Sequence, residues 1–150
     1  MMRTLYHWPL DPFSRSVRLA LGEKKLTAEL IETPFWGEPE PLVQLAPGSC
    51  LPVLVEAGPE GRVVTADARA CLEYLEETHP SPALMPLSAR GRAEVRRLCA
   101  AFERGFDQEV NTYLLYERLS ARVLNAGPVD PDRLRLGARA LKVWLDRIGG

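Results

Sequence analysis

The sequence has few of the residues from which metal sites and thiol-based active centres are built. Its 150 residues include 3 Cys and 2 His. The cysteines, Cys50, Cys71 and Cys99, form no CxxC pair and no Cys/His cluster. Local spacing therefore excludes a zinc site and a thioredoxin-type redox pair, and we predict no metal site. We expect Cys71 and Cys99 to be core thiols.

Long hydrophobic runs and a strong net charge are also missing. No apolar stretch approaches the roughly 20 residues that span a bilayer. The N-terminus lacks the long apolar segment of a secretory signal. We therefore expect a cytoplasmic protein without a membrane span. A mean hydropathy of −0.14 and 26% charged residues are typical of a folded globular chain.

The net charge of −1 conceals two halves of opposite sign. Residues 1–86 contain 7 Lys and Arg against 12 Asp and Glu, a balance of −5, and residues 87–150 contain 12 against 8, a balance of +4. This asymmetry predicts two structural units. Nucleic-acid binding is not predicted, because acidic residues are interspersed among the arginines and the pI is about 6.2.

Apolar patterning in the first eighty residues predicts the order β-α-β, loop, β-β-α. Ser14 is the candidate N-cap of the first helix. The proline-rich stretch 33–47 is predicted to be a loop with one helical turn, and a hairpin turn is predicted at 58–61. The predicted elements are a strand at 3–6, a helix at 15–25, a strand at 28–32, hairpin strands at 51–55 and 61–64, and a helix at 67–77.

The remainder of the chain is predicted to be helical after a linker. Three prolines in the segment 80–86 cannot continue a helix. An apolar stripe then predicts one long helix from about 88 to about 123. Asp130 is a capping residue followed by Pro131 at the first position of a final helix. The predicted apolar stripe of that helix is Leu134, Ala138, Leu141, Leu145 and Ile148. We thus predict domains at 1–80 and 88–150, joined by a linker at 81–87.

Three motifs resemble the glutathione S-transferase family. Residues 5–21 resemble its first strand, active-site loop and first helix. Residues 47–54, PGSCLPVL, resemble the stretch that contains its cis proline, and residues 67–75 resemble the segment that opens its ligand-binding helix. The resemblance implies an α/β plus all-α fold. A thioredoxin-like β-α-β-(α)-β-β-α domain would be followed by a helical bundle that is partial here, because the family's helical half is longer.

The resemblance also implies a glutathione site. The backbone of Leu51, which precedes the cis proline Pro52, would face the cysteinyl amide of glutathione. Asp67 and Ala68 would lie at a helix N-terminus, where free N–H groups and the helix dipole favour the γ-glutamyl carboxylate. Glutathione is therefore the cofactor that the resemblance suggests.

Two departures from the family pattern indicate a degenerate site. Asp11 stands where many members have Ser or Cys, and an ionised carboxylate cannot donate a hydrogen bond to a thiolate. Ser14 is the alternative thiolate partner if the protein is an enzyme. Ala68 replaces a serine, and the lost hydrogen bond corresponds to roughly 10–150-fold in affinity.

Two functional hypotheses follow. Residues 5–18 and 109–118 resemble a bacterial branch of the family that includes a cell-division adaptor, which binds the tubulin-like filament protein FtsZ. The preferred hypothesis is a non-catalytic adaptor for a protein partner such as FtsZ, with Trp8 and Trp36 as anchors. The alternative is a glutathione S-transferase that conjugates glutathione to an electrophile, using Ser14. Both imply a homodimer, for which the oppositely charged halves suit a head-to-tail pairing.

Overall fold

The chain divides into two compact units, Met1–Pro86 and Leu87–Gly150. They are seen in a computed structural model that describes residues 2–37, 39–59 and 61–149. The first unit ends six residues beyond the predicted domain boundary at 80.

The first unit has the predicted thioredoxin-like order. Its elements are β1 (Met2–His7), α1 (Pro12–Glu23), β2 (Glu29–Glu32), α2 (Glu40–Leu45), β3 (Val53–Gly58), β4 (Gly61–Ala66) and α3 (Ala68–Thr78). The strands lie in the order β2-β1-β3-β4. β1 pairs with β2 in parallel and with β3 antiparallel, and β3 and β4 form the predicted hairpin. Glu60, in the predicted turn, lies outside the described residues.

The core of the first unit lies between the sheet and the helices α1 and α3. In β1 every second residue is buried, as expected for a strand with one face against the core. The apolar faces of α1 and α3 cover this side of the sheet, which confirms both helix predictions. The core cluster consists of Leu5, Val17, Ala20, Leu21, Leu54, Ala68, Cys71 and Leu75.

The strand register gathers three loops and the start of α3 at one end of the sheet, here called the loop end. Tyr6, near the end of β1, pairs with Ile31 of β2 and with Val53 at the start of β3. Val53 in turn pairs with Ala66, the last residue of β4. The loops after β1 and β2, the loop before β3 and the start of α3 therefore converge. The opposite end, where α1 and α3 finish, is called the base end.

The second unit is helical. Its elements are α4 (Ala89–Ala100), a π-helical segment (Ala101–Asn111), α5 (Thr112–Val123) and α6 (Pro131–Gly149). The prediction of continuous helix over 88–123 is confirmed, although its middle third is wound with i→i+5 hydrogen bonds such as that from the Thr112 N–H to the Asp107 carbonyl.

One prediction about burial in the second unit is wrong. Cys99 is exposed rather than a core thiol, and no described residue of α4 is buried. On α6, Leu145 and Ile148 of the predicted apolar stripe are each 57% exposed. The buried residues there are Gly137 and Trp144. A Cβ at Gly137 would lie 2.7 Å from the Tyr113 Cβ and 2.8 Å from the Leu114 Cγ, so the absent side chain allows α5 and α6 to approach closely.

Candidate functional site

The N-terminus of α1 lies at the loop end and is closed by Asp11. The Asp11 carboxylate accepts hydrogen bonds from the backbone N–H of Ser14 at 2.7 Å and of Phe13 at 3.3 Å. Pro12 occupies the first helical position, where its missing N–H costs nothing. The prediction that Ser14 caps this helix is therefore wrong, because an Asp-Pro pair starts the helix three residues earlier.

Ser14 itself is fully buried. Its hydroxyl oxygen accepts a hydrogen bond from the backbone N–H of Trp8 at 3.3 Å, which ties the loop after β1 to α1. A hydroxyl with no exposed surface has no direct access to a thiol bound at the loop end. The structure therefore places Ser14 in a structural position, beside the capping carboxylate of Asp11.

The loop before β3 and the start of α3 meet as the resemblance implied. The Leu51–Pro52 peptide bond is cis. The Asp67 N–H donates to the Pro52 carbonyl at 3.1 Å. The Asp67 carboxylate accepts from the Arg69 N–H at 2.9 Å and so caps α3. Asp67 has φ of +74°, a conformation uncommon outside glycine, and such backbone strain concentrates at binding sites.

The residue predicted beside Asp67 has its side chain in the core of the first unit. Ala68 is buried in the core cluster with Cys71. The Cys71 thiol donates to the Thr65 carbonyl at 3.4 Å. Burial raises the pKa of Cys71 to about 12, which leaves it an unreactive core thiol, as predicted.

An aromatic cluster of Trp8, Phe35 and Trp36 lies at the loop end. The ring of Trp36 is 4.9 Å, centre to centre, from both Trp8 and Phe35, in edge-to-face contacts. Phe35 is 41% exposed, whereas the two tryptophans are half-buried. The structure thus brings together the two residues predicted as partner anchors and adds Phe35. Phe35 is adjacent to Trp36 in a proline-rich loop, and this sequence pattern could have indicated that Phe35 joins the cluster.

His7 is a polar residue of the loop end that sequence reasoning missed. It is 5% exposed, at the end of β1. Burial and the nearby Arg18 guanidinium lower its pKa from the usual 6.5, although Glu32 and Asp11 partly oppose this shift. A buried imidazole in this position is therefore neutral at pH 7. Arg18 also donates to the Pro9 carbonyl at 2.8 Å and braces the loop.

This geometry defines what the loop end can do chemically. The first N–H groups of α1, which could otherwise receive an anion, are satisfied by a carboxylate of the chain itself. Among the described residues, no group of three or more His, Cys, Asp or Glu could hold a metal ion. No described helix is long and apolar enough to cross a membrane.

Comparisons with known proteins agree with this fold. Residues 12–78 match the family model of the glutathione S-transferase N-terminal domain. The first unit therefore belongs to that domain family, and the chain as a whole has the glutathione S-transferase fold.

Among the relatives, the chain is similar to FtsZ-localized protein A of Caulobacter vibrioides, with 44% identity over 146 residues, 97% of this chain and 64% of that protein. The structure of FzlA from C. crescentus superimposes with a TM-score of 0.94 at 44% identity, over 99% of this chain and 66% of that one. The chain thus spans about two thirds of these relatives' length.

Two solved glutathione S-transferases are also similar. That from Rhodospirillum rubrum is 41% identical, with a TM-score of 0.89 over 97% of this chain and 64% of that one. That from Methylobacterium radiotolerans, in complex with glutathione sulfonate, is 28% identical, with a TM-score of 0.72 over 99% of this chain and 66% of that one.

Proposed function

We propose that the chain is a non-catalytic adaptor with the glutathione S-transferase fold, and that its partner is the division filament protein FtsZ. The observation that carries the proposal is the Asp11 carboxylate at the N-terminus of α1. A glutathione thiolate bound there would face a negative charge, which raises the pKa of the thiol and opposes its activation. The similarity to FtsZ-localized protein A supports the choice of partner.

We propose that the glutathione site survives only in a weakened form. The backbone of Leu51 beside cis Pro52 and the capped start of α3 at Asp67 keep the arrangement that would hold the peptide. Ala68 contributes no hydroxyl and lies in the core. Because one charge-assisted hydrogen bond is lost, binding weaker by roughly 10–150-fold is expected.

The aromatic cluster of Trp8, Phe35 and Trp36 is the proposed partner-binding surface. Aromatic side chains supply a large apolar area at low entropic cost and dominate many protein interfaces. The edge-to-face contacts hold the three rings together, so a partner would meet an ordered surface.

The test is co-sedimentation of the protein with polymerised FtsZ. We expect the wild type to pellet at micromolar concentration, and the Trp36→Ala variant to bind at least about tenfold more weakly. Val63→Ala is the matched control, because Val63 is an exposed apolar residue of β4 outside the cluster. Absence of co-sedimentation of the wild type at micromolar concentration would count against the proposal.

A second candidate is a glutathione S-transferase. It is favoured by the capped start of α3 at Asp67 and by the similarity to the Rhodospirillum rubrum protein. The reaction would be attack of the glutathione sulfur on an electrophile. With Ser14 buried, an enzyme would need another thiolate partner. Conjugation of a model electrophile at a rate that depends on glutathione would establish this function.

We also propose a cytoplasmic homodimer. The opposite charge balances of the two sequence halves support a pairing that is partly electrostatic. Sedimentation velocity at low and high salt measures it. The dimer should weaken as the salt concentration rises, and a mass independent of salt would remove the electrostatic argument.

A further inference from the structure

Lys24, at the C-terminus of α1, is a buried lysine with a complete set of acceptors. Its ammonium group lies 2.7 Å from the Glu76 carboxylate, 2.7 Å from the His79 carbonyl and 3.0 Å from the Pro82 carbonyl. An ammonium group has three N–H donors, so all three are satisfied. A lysine buried in this way is held in one place by its partners.

Glu76, on α3, extends these contacts further along the chain. Its carboxylate accepts the backbone N–H of Leu84 at 3.1 Å and of Met85 at 3.1 Å. Burial alone would raise the pKa of Glu76, but the hydrogen bonds from Lys24, Leu84 and Met85 lower it overall. The carboxylate is therefore ionised at neutral pH, as the contacts require.

The ion pair accounts for much of the backbone hydrogen bonding in the segment 79–85. This segment contains Pro80 and Pro82, which have no N–H, and it belongs to no helix or strand. The His79 N–H donates to the Leu75 carbonyl, in the last turn of α3. The backbone carbonyls of His79 and Pro82 accept from Lys24, and the backbone N–H groups of Leu84 and Met85 donate to Glu76. Without these hydrogen bonds, the polar groups of the segment would be left to water and its path would be loosely held.

We propose that Lys24 and Glu76 form a latch that makes residues 79–85 a fixed part of the first unit. The boundary of the first unit at Pro86, beyond the end of α3, agrees with this role. Leu87, the first residue after this unit, is fully exposed, and Ser88 caps α4 through its hydroxyl.

Hydrogen exchange on the wild-type chain tests the latch without any substitution. The amides of Leu84 and Met85 should exchange about 10–150-fold more slowly than the amide of Leu87, because both donate to a charged group. Equal exchange rates at these three amides would overturn the proposal.

Limited proteolysis with chymotrypsin supplies the second measurement. In the wild type we expect cleavage after Leu87 and protection of the bond after Leu84. Lys24→Met and Glu76→Ala should each make the bond after Leu84 accessible to the protease. The neighbouring exposed residues give matched controls, Lys25→Met and Glu77→Ala, which should behave like the wild type.

Hydrogen exchange and limited proteolysis together test the latch. A folded Lys24→Met variant that still protects the bond after Leu84 would overturn it. If either latch variant fails to fold, the wild-type exchange rates of Leu84 and Met85 decide.

Discussion

The two ends of the sheet in the first unit differ in how their buried polar side chains are bonded. At the base end, buried charges form ion pairs and also bond to backbone groups. At the loop end, the buried side chains of Asp11 and Ser14 accept hydrogen bonds from the backbone N–H groups of Ser14, at 2.7 Å, and Trp8, at 3.3 Å. Networks of paired charges rigidify a fold. We therefore expect the base end to contribute more to stability, whereas the loop end is where binding is proposed.

A second network at the base end shows how complete the pairing is. Arg3 forms a buried ion pair with Glu56 and donates to the Thr27 carbonyl at 3.0 Å. The Tyr74 hydroxyl donates to Glu56 at 2.7 Å. Burial and this carboxylate raise the pKa of Tyr74 to about 12. The His79 ring nitrogen lies 3.1 Å from Arg3, so the latch segment and this network meet at one residue.

The largest expected effect is the loss of the Lys24 charge at the base end. Lys24→Met leaves Glu76 without its buried partner and should destabilise the protein by about 3–5 kcal/mol. Urea unfolding measures the change. Lys25→Met, at an exposed position, should stay within about 0.5 kcal/mol of the wild type. A similar loss of unfolding free energy in both variants would show that burial of the Lys24–Glu76 pair does not contribute to stability.

At the loop end, Asp11→Ala should cost about 0.5–2 kcal/mol, because α1 loses its N-cap. Asp11→Asn keeps a capping oxygen and should cost less than Asp11→Ala. Thermal unfolding followed by circular dichroism separates the two. If both variants lose the same stability, the charge of Asp11 matters more than its hydrogen bonds to Phe13 and Ser14.

The base end should also make the protein sensitive to acid. Burial opposes ionisation of Glu56, but hydrogen bonds from Tyr74 and Arg3 hold its pKa below 4.5. A group with a lowered folded pKa stabilises the protein above its unfolded pKa, and that contribution is lost as the pH falls through the folded value. Unfolding free energy should therefore fall as the pH drops below about 4.5, and Glu56→Gln should flatten this dependence. An unchanged slope in the variant would remove Glu56 from the explanation.

The smallest effect concerns thiol chemistry. A disulfide reagent should label Cys50 and Cys99, which are exposed, and leave Cys71 unmodified in the folded protein. Mass spectrometry of the labelled peptides identifies the sites. Labelling of Cys71 at the same rate as Cys50 would indicate that the core between sheet and α3 opens readily.

The helices and strands could be predicted because local sequence patterns determine them. An Asp-Pro pair predicts the start of α6, and Asp130 caps that helix, accepting from the Asp132 N–H at 2.8 Å. The same pair at Asp11 and Pro12 starts α1, so the cap of this helix could also be predicted from the sequence.

Features that depend on tertiary contact could not be predicted. Lys24 and Glu76 are 52 residues apart, and nothing in their neighbourhoods marks them as partners. The apolar period of a helix does not reveal π-helical winding. The burial of Gly137 and Trp144, with Leu145 exposed, depends on how closely α5 approaches, and a stripe of large apolar residues does not report that distance.

The central proposal is that the glutathione site at the loop end is degenerate. Calorimetric titration of the protein with glutathione tests the claim most directly. The predicted result is binding too weak to give a dissociation constant in the micromolar range, with little or no heat at about 10 mM ligand. A micromolar dissociation constant would contradict the claim and favour the transferase.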